Sequence, residues 1–354
     1  MDCSLQQLER RFTQARAAKE PLVLATVVGT RGSTYRKAGA QILIGADRTC
    51  EGLLSGGCLE ADIAQRAVSV FESGEHKMVS YDHGGEEGAP WGLELGCEGS
   101  MDIWLMRLDA ADGWEPFGTL MQHLEDRAPP TWGLVLESDV AALPVGTSAW
   151  SGDAVRLPAE TPASVAAWLT EQLTVRRDDA AVLDLAAPRI RLFVATPPRL
   201  RNVLVVGAGP DTLPLVEFGA TMGWRITLAD HRPACANPNL WPRACRVLTT
   251  RPGELAGQVD LAEFDAAVIM SHHLPTDVAC LATLAPTPIP YVGLLGPASR
   301  RRQLLADLGV AAALFGDRLH APVGLQLGGR DPQSIALAIV AELQAFFHGC
   351  TTCT

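Results

Sequence analysis

The sequence predicts an α/β protein in two parts: an N-terminal mixed α+β domain followed by a C-terminal doubly wound parallel-sheet domain. Three observations lead there. In the second half, short apolar runs are separated by helical stretches, the alternation that builds a parallel sheet. One run, Asn202-Val203-Leu204-Val205-Val206, leads into the tight turn Gly207-Ala208-Gly209-Pro210-Asp211-Thr212, a helix over 213–222 and a second strand over 225–229 that ends at Asp230. This βαβ opening, with an acid 23 residues past the first glycine, is Rossmann-like. Finally, Pro197-Pro198 marks a boundary, which sets the domains at 1–198 and 199–354.

The chain has 354 residues, enough for two real cores. A net charge of −11 argues against a nucleic-acid surface as the main function and leaves room for a local basic pocket. The N-terminus carries charges throughout, and no stretch reaches the roughly 18 apolar residues of a membrane span, so no membrane insertion and a cytoplasmic location are expected. Nine cysteines, an odd number spread over a mid-sized chain, do not form a secreted disulfide framework. Cys350 and Cys353 make a lone CxxC without the second pair a zinc site needs.

Taken in order, Leu5, Leu8 and Phe12 at helical spacing predict a leading helix over 4–19. A β-branched run over 21–28 predicts a buried strand, followed by a small-residue loop over 29–39. Arg31, Ser33, Arg36 and Lys37 in that loop offer hydroxyl and cationic donors suited to an anion, or are ordinary surface groups. Strands are expected at 41–44 and at Leu53-Leu54, the second leading into Ser55-Gly56-Gly57-Cys58 and a helix over 59–72. The glycine-rich stretch over 82–94 is too long for a mere connector and delivers Gly96-Cys97-Glu98-Gly99, after which a strand over 101–108 closes the region. Residues 109–198 are the least informative, with helices over 114–124 and 163–173 and strands over 131–136 and 189–195.

Gly56 and Gly57 permit positive φ and close approach of a ligand, and Cys58 falls at a helix N-terminus, where a thiol pKa is lowered. Two cysteines in glycine turns, Cys58 and Cys97, suggest a thiol-lined pocket. Glu60 is a general base, an acceptor for a ligand, or a favourable first-turn acid. In the second domain the candidate binding residues sit at strand ends: Gly207, Gly209, Asp211, Asp230 and Arg232, then Ser271-His272-His273 with Asp277, and Arg300 within the run 299–302. Asp211 places a carboxylate where a pyrophosphate would rest, which argues against ordinary NAD binding, and Thr212 replaces the third glycine of the fingerprint. The closing stretch has Pro322-Val323-Gly324-Leu325, a glycine pair at 328 and 329, and a helix over 332–347.

These residues resemble the xanthine dehydrogenase accessory family of the XdhC/CoxI type, over 22–108 and 201–347. The resemblance is carried by Arg31-Gly32-Ser33, Gly39-Ala40, the block from Gly52 to Glu60, Gly96-Cys97 and Gly99, then by the turn Gly207–Asp211, Gly223-Trp224, Asp230 with Arg232-Pro233, Ser271-His272 with Asp277, Tyr291–Gly296, Pro322–Leu325 and the closing helix. It implies a chaperone that binds the molybdenum cofactor, as molybdopterin or a dinucleotide form, assists its sulfuration and delivers it to a molybdoenzyme apoprotein. Arg31, Ser33, Arg36, Ser55, Gly56 and Gly57 would hold the cofactor, Cys58 would contact the metal or carry sulfur, and Asp230, Arg232 and Arg300 would hold a nucleotide half. A cysteine desulfurase and a second copy in a homodimer are the other expected partners. An NAD(P)-binding oxidoreductase and a Cys58–Cys97 redox sensor are the alternatives.

Overall fold

The computed structural model describes residues 3–57, 59–82, 99–124, 126, 128–152 and 157–350. One compact unit runs over Ser4–Arg199 and the other begins at Leu200.

The first unit opens with helix α1 (Cys3–Ala18) and continues through β1 (Leu22–Arg31), β2 (Gln41–Gly45), β3 (Cys50–Glu51), α2 (Glu60–Ser73), β4 (Lys77–Asp82) and β5 (Ser100–Leu108). The strands form an antiparallel sheet in the order β3-β2-β1-β5-β4. Helix α2 lays Ile63, Ala64, Ala67 and Val70, one face at helical spacing, against Val23, Ala25 and Val27. It stops at Gly74, whose φ of 73° lets its N–H reach the Val70 carbonyl.

Strand β1 runs on to Arg31, past the end read from the sequence. Its glycine and polar tip still finds partners, because it pairs with β5 as far as Arg31 opposite Ser100, with a register shift between Val27 and Gly29. The expected strand at Leu53-Leu54 does not form. Leu54 and Ser55 give their N–H groups to the Glu60 carboxylate instead of a neighbouring strand, and the short strand that does form lies earlier, at β3.

After α3 (Phe117–Gln122) come β6 (Trp132–Ser138), β7 (Ser148–Trp150), α4 (Ala163–Thr174), β8 (Ala181–Leu185) and β9 (Ile190–Ala195). These strands make a second antiparallel sheet, β7-β6-β9-β8, covered by Val165, Leu169 and Leu173 of α4.

The second unit runs β10 (Asn202–Val206), α5 (Leu213–Thr221), β11 (Arg225–Asp230), β12 (Arg246–Thr249), β13 (Ala266–Ile269), α6 (Leu274–Leu284), β14 (Val292–Leu294), α7 (Ala298–Leu308), β15 (Leu319–His320) and α8 (Pro332–Phe347). All five pairings are parallel, in the order β12-β11-β10-β13-β14-β15. This is the doubly wound Rossmann arrangement, with its topological switch between β10 and β13. Alternate residues of β10 face opposite layers: Val203 and Val205 pack with α5 and α8, Leu204 and Val206 with α6 and α7. Trp224 closes the α5/α8 layer edge-on to Phe347, at 5.3 Å between ring centroids. Among the described residues no helix is long and apolar enough to cross a membrane.

Candidate functional site

In the first unit Ser55, Gly56, Gly57 and Glu60 form the turn that precedes α2 and the start of that helix. Glu60 opens that helix, is only 9% exposed, and points back over the turn. Its Oε1 accepts from the Leu54 N–H at 2.8 Å and the Ser55 N–H at 2.9 Å, and its Oε2 accepts from the Ser55 hydroxyl at 2.6 Å. The Ser55 oxygen accepts in turn from the Leu59 N–H at 2.7 Å. Burial alone would favour the protonated acid, but the donors from Ser55 and Leu54 outweigh it and hold the carboxyl below its ordinary range. This carboxylate is occupied in shaping the turn, and Ser55 with it.

Gly56 and Gly57 follow with φ of 78° and 105°. Among the described residues a Cβ on Gly57 would meet nothing within 4 Å. Cys58, Cys97 and the stretch 83–94 lie outside the described residues. Two other cysteines can be assigned. Burial pushes the Cys50 thiol up to about 11 and the Cys280 thiol up to about 12, which keeps both protonated and unreactive.

The loop between β1 and β2 packs on both Gly56 and Gly99. A Cβ on Gly56 would lie 3.7 Å from the Tyr35 ring, and a Cβ on Gly99 would fall 2.5 Å from the carbonyl oxygens of Arg31 and Ser33. The loop therefore packs directly on Gly99, two positions beyond Cys97, and against Gly56, two positions before Cys58. Arg31, Ser33 and Lys37 are exposed along it. Arg36 is half-buried, which lowers its pKa. Gly99→Ala should push the loop off this strand and cost about 1–3 kcal/mol, read as a lower denaturation midpoint and faster amide exchange at residues 31–35.

In the second unit the residues at the carboxyl edge divide into three groups. Asp230, 3% exposed, receives the Ala208 N–H at 2.7 Å on Oδ2 and the Arg232 N–H at 2.8 Å on Oδ1. The Arg232 guanidinium grips both oxygens, Nε at 3.0 Å and Nη2 at 2.7 Å. Burial opposes this charge, yet the Arg232 side chain and the two backbone donors bring the carboxyl down to about 2. Gly207, at φ 113°, sits so close to the chain after β13 that a Cβ would fall 2.6 Å from the Met270 oxygen. Thr212 turns its hydroxyl onto the Gly207 carbonyl at 2.8 Å.

Arg300 belongs to a second group. It donates to Asp277, 1% exposed, with Nη2 at 2.6 Å and Nε at 3.2 Å, while the Ser271 hydroxyl bonds the other carboxylate oxygen. Thus Asp230, Arg232 and Arg300, expected to meet a nucleotide, direct their hydrogen bonds inside the fold.

The third group faces a cavity of about 280 Å³. Leu215, Met270, Leu295, Ile335 and Ile339 form apolar walls, and Asp211, His272 and Arg330 supply the charged groups. His272 Nε2 lies 2.6 Å from Asp211 Oδ2, with His272 held at a φ of 59° that L-residues adopt seldom. The sequence reading found Asp211 and His272 but not Arg330. Its signal was the glycine pair just before it, which bends the chain over the start of α8. Among the described residues no cluster of three or more His, Cys, Asp or Glu side chains could hold a metal ion.

Residues 15–82 match the model of the XdhC and CoxI family, and residues 203–343 match that of the XdhC Rossmann domain. Together these matches take in more than half of the chain. The chain belongs to the XdhC and CoxI family. Over 337 residues it is 29% identical to a protein of Bacillus subtilis (strain 168) named as a probable xanthine dehydrogenase component, covering 92% of this chain and 93% of the relative. Over 325 residues it is 25% identical to the molybdenum cofactor insertion chaperone PaoD of Escherichia coli (strain K12), covering 91% and 82%. A crystal structure described as a xanthine dehydrogenase from Bacillus halodurans superposes with a TM-score of 0.76 at 26% identity, over 99% of this chain and 96% of that one. Both XdhC stretches contain candidate residues: the Glu60-bound turn lies in the first, and the Asp211–His272 cavity in the second.

Proposed function

We propose that this XdhC/CoxI-family chain is a molybdenum cofactor chaperone that binds the cofactor, assists its sulfuration and inserts it into a xanthine-dehydrogenase-type apoenzyme. The observation that carries the reading is that the 31–39 loop packs on two glycines, Tyr35 against Gly56 and the Arg31 and Ser33 carbonyls on Gly99, each two positions from a cysteine in the sequence. The names of the relatives from B. subtilis and E. coli support it.

The residues present suit a polyanionic cargo. Arg31 and Lys37 stand exposed on the loop, Ser33 adds a hydroxyl, and among the described residues none crowds the backbone at Gly57. Glu60 fixes the course of the chain into this turn rather than moving protons, because every donor it meets is structural. In this reading Cys58 contacts the metal or carries sulfur as a thiolate, and Cys97 is the second thiol. The chaperone works as a homodimer, takes sulfur from a cysteine desulfurase and hands the cofactor, as molybdopterin or its dinucleotide form, to the molybdoenzyme.

Titration of the purified chain with molybdopterin tests this. The expected result is saturable binding that falls at least tenfold in Cys58→Ala. Equal binding by the variant removes the cysteine from the mechanism, and absence of binding removes the function.

A further inference from the structure

We propose that the cavity at the carboxyl edge of the parallel sheet binds a nucleoside 5′-monophosphate group, the base between its apolar walls and the phosphate on Arg330. Where the nucleotide is the arm of a larger cofactor this rests on the cofactor reading above; where it is free it does not. The cavity lies beside the switch between β10 and β13, where open α/β sheets take their ligands. At about 280 Å³ it is just below the range of drug-sized pockets, roughly 300–1,000 Å³, which suits one ring system with its sugar and excludes a whole dinucleotide.

Its chemistry narrows the class. Apolar side chains from α5, α8 and the ends of β13 and β14 bound the space, as a flat heterocycle requires. With Asp211 Oδ2 and His272 Nε2 bonded to each other, the pair keeps Asp211 Oδ1 as an acceptor for an N–H on a ring edge. Arg330 is exposed and makes no ion pair among the described residues, leaving its five N–H donors available to an anion.

The backbone that carries Arg330 is fixed from both sides. Gly329, at φ 82°, approaches Ser334 so closely that a Cβ would fall 2.4 Å from its Oγ. Asp331 caps α8 by accepting from the Ser334 N–H at 2.9 Å and from the Ser334 hydroxyl at 2.6 Å. The usual pyrophosphate seat is meanwhile taken, since Asp230 holds the Ala208 N–H and Asp211 stands at the helix start. A phosphate bound here must therefore rest on a side chain, and Arg330 is the one that faces the cavity.

The same chemistry comes from a free nucleotide or from the nucleotide arm of a larger cofactor. Isothermal titration of the full chain with CMP, GMP and AMP, with the matching nucleosides, with orthophosphate and with CDP-choline and GDP-mannose separates the two. At least one monophosphate should bind at least tenfold more tightly than its nucleoside, and Arg330→Ala should erase that difference while leaving the nucleoside unchanged. Ile335→Trp, which narrows the cavity, should weaken nucleotide and nucleoside alike, with folding checked by circular dichroism. Diphosphate esters that bind as well as the monophosphate identify the cofactor arm; monophosphates that bind alone identify the free pool. The proposal is overturned if no monophosphate binds at 1 mM, if Arg330→Ala binds as the parent does, or if orthophosphate binds as tightly as the nucleotides.

Discussion

Asp230→Ala should destabilise the C-terminal unit by about 3 kcal/mol, because it takes the acceptor from a buried backbone N–H and from the charged Arg232 hydrogen bonds. The Ala208 N–H would lose its acceptor in a buried turn, and Arg232 would lose the partner that orients it. Amide exchange at residues 205–208 should accelerate most, because these amides border the lost contact. The same carboxylate makes a pH prediction. Its pKa falls from an ordinary 3.8 in the unfolded chain to about 2 in the folded one. Stabilisation is then complete above the unfolded value and is lost as pH drops through the folded one. This amounts to about 2 kcal/mol, so a denaturation series from pH 5 to pH 2 should show that loss in the parent and its absence in Asp230→Ala. A slope that persists in the variant would assign the acid sensitivity elsewhere.

Glu60→Ala should cost about 3 kcal/mol in the N-terminal unit, since it leaves two backbone N–H groups and the Ser55 hydroxyl without their acceptor. Glu60→Gln keeps one carbonyl acceptor and should lose less. If Glu60 acted instead as a general base, the glutamine variant would be as stable as the parent and would lose activity alone. Chemical denaturation together with cofactor titration separates these results. The carboxyl lies below its usual range, so its contribution is present above the unfolded value of 4.5 and fades as the medium becomes more acidic.

The Rossmann half was legible because its signals are local: an apolar run, a glycine turn, a helix and an acid at fixed spacing. The structure places β10, α5 and Asp230 where that spacing requires. What the spacing could not show is that Asp230 turns inward to Ala208 and Arg232, a choice made by an arginine two residues on. Likewise Arg300 reads as a surface cation in its run of arginines, and only the return of α6 brings the buried Asp277 under it. In the first unit the Ser-Gly-Gly turn was found from its glycines. The expected strand at Leu53-Leu54 failed because a carboxylate six residues ahead captured the hydrogen bonds that a ladder would have used. Strands β7 and β8 escaped notice for a related reason: Ser148–Trp150 is too short to show alternation, and Ala181–Leu185 is only half-buried. Arg330 escaped notice because the cavity it lines is built from four separate segments of the chain.

The borders of the parallel sheet carry a last consequence. One margin is the two-residue β15 and the other the four-residue β12, so few unpaired backbone groups are left for a foreign strand to seize. Such a sheet resists being lengthened by strand addition from a neighbour, which protects a crowded, partly refolded population from zippering into fibres.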